Sequence, residues 1–340
     1  MVFNTINIVI LLLVFITSYL SVWLLLKLPS NMSALDKPNE RSLHITPVPR
    51  LGGLAIIGGV LIGVLLLSFE YSLTDKFIFV LCGGLIIGFI SFLDDVYTLS
   101  SLIRIIVQLV GALFIVYSGL ILDMLELPWL TFQLPAALSV LVTVVYILWM
   151  VNLYNFMDGI DGLAGGMAVI GFATFAVIGI SENDLIFALS SLLVSVSSLG
   201  FLVWNYPPAR IFMGDTGSSV LGYLVAVFGL WAHNAGVVPI WISAVIFSPF
   251  IVDATLTLLW RMMRREQFWS AHKSHCYQLI AESGMNRKRL VNSEYVLMLF
   301  CAIIALFSSV AEPQNQLFAI LILVAIYVIL ISYAQKKRHS

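Results

Sequence analysis

Asp94 and Asp95 stand side by side at the end of an apolar run, in Phe-Leu-Asp-Asp-Val. Carboxylates at a helix C-terminus oppose the macrodipole unless a cation offsets them. Arg104, a metal or a substrate could supply that charge. Further on, Asn152, Asn155, Asp158 and Asp161 step by three residues, a spacing that predicts four side chains along one helical face. Hard oxygen donors of this kind suit magnesium, which keeps waters and shares its shell with phosphate oxygens. A helix cap ahead of Asp161-Gly162 would account for one polar residue but not for four. Residues 212–219, Phe-Met-Gly-Asp-Thr-Gly-Ser-Ser, lead into another apolar run. Small residues and exposed N–H groups at a helix start favour an anion, and Asp215 there can hold the metal that bridges phosphates.

The basic segments complement these acids. Residues 271–278 read Ala-His-Lys-Ser-His-Cys-Tyr-Gln. Imidazoles beside lysine can stabilise phosphate charge, and His272 and His275 could alternatively ligate zinc, although no cysteine pair or further histidine supports that. Arg261, Arg264 and Arg265 nearby are explained by membrane topology alone. Lys37, Arg41 and Arg50, in the first polar segment, suit an anionic lipid head group. Pro249 and Asp253 interrupt an apolar run, which predicts a kink and a groove open to lipid.

The elements that must position these residues are membrane helices. Of the 340 residues 61% are hydrophobic and only 10% are charged, with a mean hydropathy of +1.03. So few charges exclude a soluble surface. Apolar runs at 6–26, 51–69, 76–93, 102–121, 135–151, 163–180, 185–203, 218–233, 238–259, 295–311 and 316–334 predict about eleven transmembrane helices in one all-α domain, residues 1–340. No alternating pattern of a β-barrel is present. The first run is longer than a signal-peptide core and reads as a retained span. With the N-terminus outside, all Lys and Arg except Lys76 and Arg104 fall in cytoplasmic segments, with Arg104 at an inner helix end. The C-terminus and all the motifs are then cytoplasmic, and 260–293 is the largest cytoplasmic loop. The three scattered cysteines give neither a disulfide framework nor a cysteine zinc site.

In combination, Asp-Lys-Pro-Asn-Glu-Arg-Ser-Leu-His with Pro-Val-Pro-Arg-Leu-Gly-Gly, Phe-Leu-Asp-Asp-Val, the 152–166 segment, Phe-Met-Gly-Asp-Thr-Gly-Ser-Ser and the histidine segment resemble the polyprenyl-phosphate N-acetylhexosamine-1-phosphate transferases, the MraY, WecA and TagO-like family. The resemblance runs from about residue 36 to 280. It implies a cytoplasmic site at the bacterial inner membrane, where the phosphate of undecaprenyl phosphate attacks the β-phosphorus of a UDP-sugar and UMP leaves. It also implies magnesium, for which manganese can substitute, with Asp215 and Asn155 as ligands. By the same resemblance Asp94, with Asp95 beside it, engages or deprotonates the lipid phosphate, Asp161 faces the uracil, and His272 and His275 contact the nucleotide phosphates. Asn152, Asp158, Lys37, Arg41, Arg50 and Arg104 are expected around the magnesium and the substrate phosphates.

The His-Lys-Ser-His spacing departs from the three adjacent histidines of the muramyl-pentapeptide branch and is similar to the WbpL/WbcO-like branch. That implies O-antigen synthesis and an amino sugar, including a 6-deoxy one. The expected partners are the UDP-sugar, undecaprenyl phosphate, membrane lipid and a second copy in a homodimer, with no nucleic acid. A secondary transporter would place its acids near the bilayer midplane, and a CDP-alcohol phosphotransferase would need a denser Asp motif along one helix.

Overall fold

The computed structural model describes residues 4–29, 34–36, 47–266 and 274–338. Its architecture is an α-helical bundle: α1 (Thr5–Leu25), α2 (Gly52–Glu70), α3 (Asp75–Tyr97), α4 (Ser101–Tyr117), α5 (Ala136–Met157), α6 (Leu163–Ser181), α7 (Leu185–Asn205), α8 (Gly214–Asn234), α9 (Ile240–Ile246), α10 (Ser248–Met263), α11 (Cys276–Glu282), α12 (Arg287–Val310) and α13 (Pro313–Arg338). Starts are set locally: Asn4, Ser100 and Asp184 accept hydrogen bonds from the N–H groups of Asn7, Ile103 and Phe187. Among the described residues eight helices are long and apolar enough to cross a membrane, and nine if the bent α9–α10 pair counts as one span. A helix occupies each of the eleven expected runs, but α4 has only 17 residues and α8 is not among the eight. The protein is a polytopic, all-α membrane protein.

The kink expected at Pro249 is a full break. α9 and α10 bend by 86° at Phe247, and Pro249 lies in the first turn of α10, where a missing N–H breaks no helical bond. The 260–293 segment is less of a loop than its charge suggested, because it contains the end of α10, all of α11 and the first turns of α12. Two short antiparallel pairs accompany the helices: β1 (Leu35–Asp36) with β2 (Val48–Pro49), and β3 (Met124–Leu127) with β4 (Leu130–Gln133). The second pair is a hairpin between α4 and α5, in a stretch where the sequence pattern predicts no strand.

α8 forms the centre. Nearly every residue from Thr216 to His233 is buried, and α2, α3, α5 and α9 pack around it. A helix surrounded on all sides needs apolar residues all round, as found here. Between helices in lipid, close packing replaces the hydrophobic drive. Accordingly Gly53 of α2 meets the Gly217 backbone of α8 so closely that neither position has room for a Cβ. Further along, Phe172, Phe175, Phe187, Phe228, Phe247 and Trp231 interlock edge to face or tilted, tying α6, α7, α8 and the α9–α10 joint together.

Candidate functional site

The first turn of α8 has no capping side chain of its own, because Met213 precedes Gly214. Its N–H groups are taken by a carboxylate from another helix. Asp95, 5% exposed near the end of α3, accepts from Asp215 N and Thr216 N at 2.9 Å each and from Thr216 Oγ1 at 2.6 Å. A carboxylate suits this place because the helix N-terminus carries partial positive charge. The anion site expected at this helix start is thus filled by the protein's own Asp95, and that carboxylate does not face an open site. Gly214 has φ of +71°, and a Cβ there would run into the Arg50 carbonyl and the Asp95 carboxylate, so only glycine fits. The Pro-Arg-Leu-Gly-Gly segment runs alongside: Phe212 N donates to Pro49 O at 2.8 Å, Gly52 N to Phe212 O at 2.9 Å and Gly53 N to Met213 O at 2.8 Å. Arg50 Nη2 reaches the Asp95 carbonyl at 3.5 Å.

One residue away the chemistry opens outward. Arg104, from the first turn of α4, donates from Nη1 to Asp94 Oδ2 at 3.1 Å and to Asp215 Oδ2 at 3.2 Å. Asn155, from the last turn of α5, donates from Nδ2 to Asp215 Oδ1 at 3.0 Å and to Ser218 Oγ at 2.9 Å. Asp94 also accepts from Leu99 N. The ends of α3, α4, α5 and α8 therefore meet at one end of the bundle. The Asp215 side chain remains 35% exposed and Arg104 36%, while Asp94 is 8% exposed. Arg104 offsets the Asp94 charge, as the macrodipole argument required, but it is Asp215 and not Asp95 that shares it.

The 152–161 stretch does not form one helical face. α5 ends at Met157, and Asp158 leaves the helix at φ −85°, ψ 49°. Asn152 points elsewhere: its Nδ2 donates to Gln108 Oε1 at 2.8 Å and to Leu148 O at 2.7 Å, bracing α4 against α5. Asp158 is half-buried at the edge of the acidic cluster. Loss of water, then the charges of Asp215, Asp95 and Asp161, hold its carboxyl well above the usual carboxylate range. Asp161 is not a cap for α6. Its Oδ2 accepts from Ala209 N at 3.0 Å and lies 3.9 Å from Arg287 Nη1, which joins the α5–α6 turn to the α7–α8 segment. Asn205, 4% exposed, completes that joint by accepting from Gly162 N and donating to Ile211 O, and Tyr295 donates to Gly162 O.

His275 is buried, with its side chain 3% exposed. Its ring stacks against those of Phe156 and Tyr277, and Nδ1 lies 3.5 Å from Asp253 Oδ1. Asp253 also accepts from Cys276 N at 2.9 Å, Tyr277 N at 3.3 Å and Thr257 Oγ1 at 3.1 Å, so it caps α11 from α10. Tyr277 donates to Phe156 O at 3.2 Å, with its hydroxyl against Gly159, where no Cβ would fit. His275 and Tyr277 therefore pack the start of α11 against the end of α5, and His275 does not project into solvent. Burial pushes the Cys276 thiol up, which leaves it protonated and no nucleophile. His272, Lys37 and Arg41 lie outside the described residues.

Sequence reasoning missed Thr216, Asn205 and Tyr277. Thr216 and Tyr277 sit inside the polar motifs but bond to residues about 120 positions away, and Asn205 joins Gly162, 43 residues before it, to Ile211. Among the described residues no three His, Cys, Asp or Glu side chains close into a metal cage. Magnesium does not require one, since it is commonly held by one or two carboxylates together with waters and substrate phosphates. Asp215 and Asn155 offer hard oxygens of that kind at a partly exposed position.

The fold and the site together define a polytopic membrane protein with an acidic cluster, braced by one arginine, at one end of its helices. A family model described as Glycosyl transferase family 4 matches residues 77–233. A probable undecaprenyl-phosphate N-acetylglucosaminyl 1-phosphate transferase of Bacillus subtilis (strain 168) is 34% identical over 317 residues, covering 91% of this chain and 88% of its own length. A decaprenyl-phosphate N-acetylglucosaminephosphotransferase of Mycobacterium leprae is 30% identical, covering 88% of this chain and 83% of its own. A phospho-N-acetylmuramoyl-pentapeptide-transferase of Staphylococcus saprophyticus is 24% identical, covering 89% and 98%. The chain belongs to the polyprenyl-phosphate N-acetylhexosamine-1-phosphate transferase family and is a multi-pass membrane transferase.

Proposed function

We propose that the protein transfers an N-acetylhexosamine 1-phosphate from a UDP-sugar to undecaprenyl phosphate at the cytoplasmic face of a bacterial inner membrane. The observation that carries this reading is the convergence of Asp94, Arg104, Asn155 and Asp215 from four helix ends at a partly exposed position. An oxygen of the lipid phosphate attacks the β-phosphorus, the bond from that phosphorus to the bridging oxygen breaks, and UMP carries the bridging oxygen away. Phosphoryl transfer of this kind depends mostly on positioning and charge neutralisation. A phosphate with a second pKa of about 6 is already a nucleophile near neutral pH, so Asp94 need not act as a strong base.

In this reading Asp215 and Asn155 would hold magnesium, which when bound supplies positive charge to the diphosphate. Asp95 is a positioning residue, because its oxygens fix the turn that carries Asp215. Arg104 balances Asp94 and Asp215 and stands ready to meet a phosphate oxygen. Asp158 stands beside them with its carboxyl pushed toward the protonated form, and Asp161 shapes the turn assigned to the uracil end. The names of the relatives favour N-acetylglucosamine as the first sugar to test. The O-antigen pathway and a 6-deoxy sugar rest on the histidine spacing alone.

Purified protein incubated with undecaprenyl phosphate and a panel of UDP-sugars tests the proposal, with CDP-alcohols as the contrast. The expected soluble product is UMP, which on addition in excess regenerates UDP-sugar from the lipid product. Release of UDP would refute phosphosugar transfer. Asp215→Asn should abolish magnesium-dependent turnover in protein that still folds, and near-native activity at ordinary magnesium would remove the metal assignment. An impermeant label added outside intact cells should not reach a cysteine placed at position 285.

A further inference from the structure

The β3–β4 hairpin pairs Met124 with Gln133, Leu125 with Phe132, Glu126 with Thr131 and Leu127 with Leu130. Side chains alternate along a strand and directly paired residues share a face. One face therefore carries Leu125, Leu127, Leu130 and Phe132, and the other carries Glu126, Thr131, Gln133 and Met124. Leu125, near the base, packs against the main core. Beyond it the apolar face has no cover: Leu127 is 51% exposed, Leu130 50% and Phe132 56%, with Trp129 in the turn 62% exposed. A lone two-stranded hairpin is marginal in water. An uncovered apolar face of this kind marks a contact surface.

The hairpin leaves the C-terminal end of α4 and enters α5, which puts it at the end of the bundle opposite the acidic cluster. Its base is fixed there. Leu134 N donates to Asp123 O at 2.7 Å, Leu122 N to Thr143 Oγ1 at 2.8 Å and Asn234 Nδ2 to Ile121 O at 2.9 Å. The flanking helix surfaces are themselves lipid-facing, with Tyr117 79% exposed, Leu138 41% and Leu141 58%. Standing upright, strands of this length would lift the tip roughly 13 Å, at about 3.3 Å per residue. That exceeds the ~5–8 Å depth of one head-group layer. Lying over, the hairpin would continue the lipid-facing surface of α4 and α5. A second copy is a poor occupant, because one face of so short a hairpin falls far below the ~800 Å² per partner of a stable interface.

We propose that the apolar face of this hairpin rests in the lipid interface, anchoring the α4–α5 connection to the bilayer with Glu126 and Thr131 turned to water. Tryptophan at such depth is the expected anchor. The 118–143 stretch has no Lys or Arg and contains Asp123 and Glu126, so the contact is with the acyl and carbonyl region and has no preference for anionic head groups.

The test uses the full chain reconstituted in phosphatidylcholine vesicles whose acyl chains are brominated near the carbonyl end. In a Trp129→Phe background, Phe132→Trp and Thr131→Trp place reporters on adjacent residues of opposite faces, each read as the difference from the background. Phe132→Trp emission should be at least halved by bromolipid and shielded from aqueous iodide, while Thr131→Trp should behave the opposite way. The difference between wild type and Trp129→Phe reads the native tryptophan without altering the strands and should follow the Phe132→Trp pattern. Iodide quenching of the apolar-face reporters would overturn the proposal. Protection from both quenchers would also overturn it, because protein and not lipid would then cover the face. Adding phosphatidylserine should leave the bromolipid quenching unchanged.

Discussion

Asp95 caps α8 from α3, and Asp253 caps α11 from α10. Each accepts from two successive backbone N–H groups and from a threonine hydroxyl: Thr216 for Asp95 and Thr257 for Asp253. What they hold differs. α8 has 21 residues packed on nearly every side, whereas α11 has seven, too few to be stable as an isolated helix. Asp95 thus fixes the helix on which the bundle is built and, with it, Asp215. Asp253 fixes a short clamp that reaches the acidic turn through His275 and Tyr277. One carboxylate should couple stability to activity, and the other should affect activity with little change in the core.

The largest effect is expected from Asp95→Ala. It orphans two N–H groups and a hydroxyl in a buried place, at about 1–3 kcal/mol for each unsatisfied group. Thermal unfolding in detergent should shift down clearly and UMP release should vanish. Asp215→Asn should also lose turnover but keep the unfolding temperature. If Asp95→Ala unfolds like wild type, the cap is not what holds α8.

Asp253→Ala comes next. The clamp loses two N–H acceptors and the partner of His275, so kcat should fall about tenfold, the equivalent of 1.4 kcal/mol. The unfolding temperature should move less than for Asp95→Ala. Asp253→Asn, which keeps an acceptor oxygen, should recover part of the rate, and limited proteolysis between α10 and α12 should follow the same order. Equal losses of stability from Asp95→Ala and Asp253→Ala would erase the distinction between core and clamp.

The difference between the two acids also shows what the sequence could convey. Membrane thickness sets helix length, so the spans were legible as apolar runs, and Pro249 marked a break whose 86° angle it could not give. Asp94, Asn155 and Asp215 were legible because each sits in a short polar segment at a helix end. The partner of Asp95 was not, since it lies about 120 residues away and the contact depends on how α3 meets α8. The step of three from Asn152 to Asp161 misled because periodicity does not reveal that α5 stops at Met157. Asp253 was visible as an acid within an apolar run, but its use as a cap depends on the chain returning at Cys276. The hairpin escaped because strands of four residues are too short for a periodic signal.

Tyr277→Phe probes the far end of the clamp. It removes the single bond to Phe156 O while the ring keeps its place beside His275, a change of about 1 kcal/mol. A fall in turnover of several-fold, with unchanged unfolding, would support a clamp that acts on the Asp158 turn. An unchanged rate would confine Tyr277 to packing.

Arg287→Ala should have the smallest effect of all. Its Nη1 lies 3.9 Å from Asp161 Oδ2, its side chain is 38% exposed, and exposed ion pairs contribute about 0–1 kcal/mol. Asp161 would keep its bond from Ala209 N, so the joint between the α5–α6 turn and the α7–α8 segment survives without the arginine. Unfolding should be unchanged, turnover should stay within a factor of about two, and added salt should make wild type and variant converge, because screening removes what the pair contributes. A larger loss than that of Tyr277→Phe, with KM for the UDP-sugar raised and kcat kept, would mean that Arg287 meets the nucleotide itself. The ranking built from the two caps would then fail at this position, since binding to substrate and not support of the acidic turn would set the size of the effect.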